Sequence, residues 1–91
     1  MNKVFWSDSA EKKMLSFNSE YYMIKETRDY IAIVMKDIEN YLLNPFISKR
    51  YIEEKGDHKG IARIVYRKFK VYYEKVDEEI IILAIKFPGE Q

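Results

Sequence analysis

Few side chains in this 91-residue chain could take part in chemistry, and most of them are basic. The chain has one histidine, His58, no cysteine, and 16 Lys and Arg against 15 Asp and Glu, a net charge of +1. That total says little, but the charge is unevenly spread. Between positions 49 and 70 stand eight basic residues (Lys49, Arg50, Lys55, Lys59, Arg63, Arg67, Lys68, Lys70) and three acids (Glu53, Glu54, Asp57), a local excess of five. Such a patch suits phosphate, and Lys49, Arg50, Lys59, Arg67 and Lys68 are the members that would follow a nucleic-acid backbone. On charge alone, an ordinary solvated surface is the stronger reading.

His58 stands near Gly56 and Gly60 and reads as an exposed loop residue rather than a base. Tyr66, Tyr72 and Tyr73 could stack on bases or supply a proton. A core role, or contact with a protein partner, suits them better, and Tyr66, Tyr72 and Phe87 are the expected partner contacts. Other chemistries lack their parts. There is no Gly-rich phosphate loop and no His, Asp and Glu spacing for a metal, so neither metal nor cofactor is expected. The absence of cysteine excludes disulfides and thiolate sites and fits a cytoplasmic protein. The first ten residues, MNKVFWSDSA, contain no apolar signal core, and no apolar run approaches the roughly 18–20 residues that cross a bilayer.

The elements that must hold these residues are legible from pattern. A chain 47% hydrophobic and 15% aromatic folds, and 91 residues make one domain with one modest core. Three consecutive strands are predicted at Ile61–Tyr66, Phe69–Val76 and Ile80–Phe87, joined by Arg67-Lys68 and by Asp77-Glu78. In the middle strand Phe69, Val71 and Tyr73 share a dry face, while Lys70, Tyr72 and Glu74 share an amphipathic one. The last strand is apolar on both sides, with Ile80, Ile82 and Ala84 against Ile81, Leu83 and Ile85. Its second face therefore needs a cover, either the chain's own aromatics or a partner.

Upstream, Lys3–Trp6 reads as a short first strand, with Trp6 pinning the following helix to the sheet. Ser7, Asp8 and Ser9 supply N-cap side chains, and Glu11 three residues after Asp8 suggests a capping box. The first helix carries Ala10, Met14, Phe17 and Tyr21, widened by Leu15 and Tyr22. A turn is predicted over Met23–Glu26. The second helix aligns Ile24, Ile31, Val34, Met35, Ile38, Tyr41 and Leu42 and ends at Asn44-Pro45. Phe46–Gly60 is then a long connector, of the kind that is mobile or functional. The expected fold is α+β in the order β-α-α-β-β-β, a helical hairpin on a four-stranded, mainly antiparallel sheet.

With these residues in place, nearly the whole chain resembles the RelE/ParE superfamily of toxins from type II toxin–antitoxin systems. The likeness rests on Val4-Phe5-Trp6-Ser7 with Ala10 after it, Tyr21-Tyr22 at the end of the first helix, and Leu42-Leu43-Asn44-Pro45 closing the second. It rests most on Phe69-Lys70-Val71-Tyr72-Tyr73-Glu74, which looks like the family's Tyr-Arg-aliphatic-x-Tyr strand. The resemblance implies a toxin neutralised by a cognate antitoxin, acting either on mRNA at the ribosome or on DNA gyrase. Two departures stand out. The family's strand arginine is Lys70 here, which keeps the charge but loses the planar fork. The stretch Ile85–Gln91 has Lys86 as its only basic residue and contains no tyrosine or histidine. That pattern favours gyrase inhibition or another toxic activity over mRNA cleavage, with an inactive interaction module or a homodimer as further readings. If the chain does cleave RNA without a metal, Lys70, Arg63 and Lys86 are the expected cations, and they cluster only if the strand register allows it.

Overall fold

The computed structural model describes residues 3–17, 24–44 and 51–90, and for Ile24 and Lys25 the backbone only. Its elements are β1 (Lys3–Trp6), α1 (Asp8–Leu15), α2 (Ile24–Leu43), β2 (Tyr51–Ile52), β3 (Ala62–Tyr66), β4 (Phe69–Val76) and β5 (Glu79–Lys86). The strands form one sheet in the order β1-β5-β4-β3-β2. β1 runs parallel to β5, and the remaining neighbours are antiparallel. The expected α+β architecture holds, with five strands rather than four. The extra strand is Tyr51–Ile52, inside the stretch read as a connector, and it pairs with Arg63 and Ala62. Two residues are too few to carry a periodic signal.

Two apolar stripes meet on one face of the sheet. Met14 of α1 and Val34 and Ile38 of α2 are fully buried against Phe69, Val71 and Ile82. Ala10, Ile31, Leu42, Ile64, Tyr73, Ile80 and Ile85 complete this core, and Trp6 packs half-buried against it, as its place before α1 suggested. Burying such surface is the main stabilising term, at roughly 25 cal/mol per Å². Leu15, read as part of the helix stripe, is 66% exposed. α1 stops there, so Phe17 reaches the core from beyond the helix, its ring tilted against Phe69 and edge-on to Phe87. α2 already runs at Ile24, so the turn predicted over Met23–Glu26 does not extend past its first residue. Tyr21 and Tyr22 lie outside the described residues.

The N-cap of α1 is Ser7, whose hydroxyl accepts from the amide of Ala10 at 3.1 Å. With Ala10 at the third helical position, Glu11 has no part in a capping box. The same hydroxyl donates to the Leu83 carbonyl at 3.0 Å, and the Ser7 amide donates to Ile82 at 2.9 Å. These bonds sit at a bulge. Tyr72 pairs with Ala84 and Tyr73 with Ile82, so Leu83 has no partner on β4. The bulge shifts the alternation of β5 by one residue. Ile80, Ile82 and Ile85 therefore face the core, while Ala84 and Lys86 turn to the other side, which corrects the strict alternation read from the sequence.

Candidate functional site

The sheet face turned away from the helices collects the groups that could do chemistry. Register decides this. Arg63 pairs with Tyr72, Val65 with Lys70, Lys70 with Lys86, and Tyr72 with Ala84. Arg63, Lys70 and Lys86 thus lie on one face of three adjacent strands, and without the bulge Lys86 would point into the core. Lys70 and Lys86 stand directly opposite one another. Like charges in that relation repel, and an anion placed between them relieves the repulsion.

Arg63 and Tyr72 are tied together by Glu53, which the sequence offered only as one of three acids offsetting the basic stretch. Glu53 Oε2 accepts from Arg63 Nη1 at 3.0 Å and from the Tyr72 hydroxyl at 2.9 Å. Glu53 follows β2 and remains laddered to β3, its amide donating to Ile61 at 3.0 Å and its carbonyl accepting from Gly60 at 2.8 Å. It shares a face with Tyr51 because the two are separated by one residue of extended chain. The guanidinium of Arg63 lies over the Tyr51 ring, 4.1 Å from its centroid. The Tyr72 hydroxyl, and after it the Arg63 charge, hold the Glu53 carboxyl below its ordinary value of 4.5. Burial, then the bond to Glu53, pushes the Tyr72 phenol above 10.0. Tyr72 therefore stays neutral, with its proton committed to Glu53. Arg63 Nε is buried and has no hydrogen-bond partner among the described residues.

His58 belongs to the same constellation. Its ring stacks on Tyr72 with centroids 4.2 Å apart and planes 18° from parallel. It is half-buried rather than the exposed loop residue its neighbours suggested. A turn makes this possible: Lys59 donates to Gly56, Ile61 donates to His58, and Gly56 and Gly60 take positive φ values of 83° and 86° that glycine adopts freely. Part of the connector thus lies across the second sheet face and covers Tyr72, which is 1% exposed. The cover is incomplete, because Phe5, Val65 and Val76 remain exposed.

Beside His58 a cleft of about 350 Å³ opens between the start of α1 and the end of β5, lined by Ser9, Lys13, Asp57, His58, Lys86 and Glu90 among others. Glu90 closes one side. Its Oε2 pairs with Lys13 Nζ at 2.6 Å and its Oε1 accepts from the Phe87 amide at 2.9 Å. Lys13 first, then that amide, hold the Glu90 carboxyl below 4.5.

The remaining sequence-derived candidates are more scattered. Lys59 is exposed in the turn beside His58. Arg67 and Lys68 form the exposed tip of the β3–β4 hairpin, two residues from Lys70. Their φ values of 47° and 71° have the sign pattern of a type I′ turn, which side chains other than Gly, Asn or Asp seldom adopt. Lys49 and Arg50 lie outside the described residues. Of the expected partner contacts, Tyr66 donates to Asp37 Oδ2 at 2.7 Å and joins β3 to α2. Tyr72 is buried as described. The Phe87 ring sits edge-on to Phe17 and Phe69, with Lys13 5.1 Å from its centroid. All three thus have contacts within the chain. Among the described residues no three His, Asp or Glu side chains gather to hold a metal, and no helix is long and apolar enough to cross a membrane.

The fold has a solved counterpart. The solution structure of the conserved hypothetical protein HP0894 from Helicobacter pylori superposes with a TM-score of 0.62 at 18% identity, covering 99% of this chain and 98% of that one. The two share a fold end to end. No family model matches the sequence, and no curated protein matches it significantly.

Proposed function

We propose that this chain is a toxin of the RelE/ParE superfamily, restrained by a cognate antitoxin, and that it acts on RNA through the cationic face of its sheet. The motifs quoted above support the family, and the end-to-end likeness to HP0894 supports its fold. One observation carries the choice of RNA: Lys70 and Lys86 are paired across β4 and β5, on the same face as Arg63 and His58. This favours a polyanionic target over the gyrase reading that the sequence alone prefers.

The chemistry follows from what the groups can do. Lys70 and Lys86 hold a phosphodiester as point charges and offset the negative charge that builds on its oxygens as it reacts. Tyr51, which is exposed, offers aromatic surface to a base, and so does the outer side of His58, whose inner side is stacked on the buried Tyr72. His58 has ring nitrogens able to accept a proton from a 2′-hydroxyl. Attack of that oxygen on the adjacent phosphorus breaks the bond to the 5′-oxygen, which takes a proton from water as it leaves. The products are a 2′,3′-cyclic phosphate and a 5′-hydroxyl, and His58 returns its proton to the solvent. Lys13 and Ser9 border the cleft in which a leaving nucleotide would lie.

The test is growth after induced expression, with primer extension on a translated message and a gyrase supercoiling assay in parallel. Arrest with new RNA ends, lost in the Lys70→Ala/Lys86→Ala double variant, is the expected result. Arrest with intact RNA and lost supercoiling would return the reading to gyrase. Growth without arrest would leave an interaction module.

A further inference from the structure

Glu53 stands where a substrate would be expected. Its carboxylate is bonded at once to the guanidinium of Arg63 and the hydroxyl of Tyr72, two donors that converge on a single oxygen, Oε2. An arginine fork matches a two-oxygen acceptor best when two of its N–H groups are engaged together. Here Nη1 is bonded to Glu53, while Nε lies buried without a partner among the described residues. Glu53 thus satisfies the site only in part. Oε1 accepts from the amide of Glu54, at 3.2 Å, and the Lys55 amide also acts on the carboxylate. A tetrahedral phosphate has oxygens enough to take Nη1, Nε and the Tyr72 hydroxyl at once.

The surroundings fit a nucleotide phosphate better than a permanent internal ion pair. Tyr51 carries the Arg63 guanidinium on its face and is itself exposed, and His58 lies flat on the other side of Tyr72. Aromatic planes thus flank the phosphate donors on both sides. Because the backbone of Glu53 is laddered to β3, its side chain can turn outward without unfolding the strand pair. Both Glu53 and Arg63 are about a sixth exposed, at 14% and 19% for the side chains, so water already reaches the pair.

We propose that Glu53 is an internal occupant of a phosphate subsite formed by Arg63 and Tyr72, and that an RNA phosphodiester enters this subsite by displacing its carboxylate. The inference rests on the RNA reading above and adds a restraint to it: the free protein holds its own anion in the place of the substrate's. Binding then carries the cost of breaking the Glu53 contacts, and removing the negative charge strengthens it.

The experiment compares wild type, Glu53→Gln, Arg63→Lys and the double variant Glu53→Gln/Arg63→Lys, each checked for fold by thermal midpoint. Affinity for a single-stranded RNA decamer is measured by fluorescence anisotropy at fixed salt. Glu53→Gln should bind roughly tenfold tighter than wild type, and Arg63→Lys in that background should remove most of the gain. Separately, the Arg63 Nε–H resonance of the wild-type protein should shift on titration with inorganic phosphate, and should saturate at lower phosphate in Glu53→Gln. Unchanged or weaker RNA binding in a folded Glu53→Gln protein overturns the proposal while leaving the RNA reading intact. A phosphate-dependent shift in a protein that fails to bind RNA upholds the subsite and overturns the RNA reading. If Glu53→Gln does not fold, the wild-type titration decides, and an Nε–H resonance unmoved by phosphate counts against the subsite.

Discussion

The two faces of the sheet are built from the same three central strands and obey opposite rules. On the helix side Phe69, Val71, Ile82 and Ile85 are buried, and their partners are other apolar side chains. On the far side two lysines face each other across β4 and β5, Arg63 lies diagonal to them, and the polar groups are held by a short loop rather than a helix. The first face is organised to lower the free energy of the fold. The second tolerates like-charge repulsion, one buried N–H without a described partner, and a hairpin tip with two side chains at positive φ. Such features concentrate where a protein binds something. A surface arranged only for stability would have exchanged them for neutral residues.

This contrast can be broken from either side. The largest expected effect is on the dry face. Phe69→Ala leaves a cavity among Phe17, Phe87 and the helix residues and should cost about 3–5 kcal/mol in urea unfolding. Next comes the joint between β1, α1 and the bulge. Ser7→Ala removes the helix cap and the bond to Leu83 together, for about 1–2 kcal/mol by the same measurement, and should loosen the register that turns Lys86 outward.

On the second face the sign should reverse. Lys68→Gly relieves the strained φ of 71° at the hairpin tip and should stabilise by about 0.5–1 kcal/mol. Lys70→Ala should leave stability unchanged or raise it by a few tenths of a kcal/mol through loss of the Lys86 repulsion, while RNA affinity falls. A clear destabilisation by Lys70→Ala would sink the idea that the pair is held for a ligand.

The smallest effect is in the acid limb of the stability curve. The folded-state pKa of Glu53 is depressed, so its contribution is present above the ordinary carboxylate value and is lost as pH falls through the lowered one. The thermal midpoint of Glu53→Gln should therefore fall less steeply than that of wild type between about pH 5 and pH 2. Parallel curves would show that the Tyr72 and Arg63 bonds do not distinguish the folded from the unfolded state.

By itself the sequence determined the large elements. Alternation in Phe69–Val76 marks a strand with one dry face, and the apolar spacing from Ile31 to Leu42 marks a helix that must lie on it. These signals are periodic and local, so burial and backbone geometry read them the same way. It also supplied the short list from which a site could be built: Arg63, Lys70, Lys86 and the one histidine. What it left open was their arrangement. The bulge at Leu83 is a single unpaired residue with no compositional mark, yet it decides that Lys86 joins Lys70 rather than the core. β2 is too short to have a period, yet it delivers Tyr51 and Glu53 to Arg63. Glu53 reads in the sequence as one solvated acid among several. Only when strands pair does it meet Arg63, ten residues along the chain, and Tyr72, nineteen along. Register and loop closure are set by pairings between distant residues, and those exist only once the chain has folded.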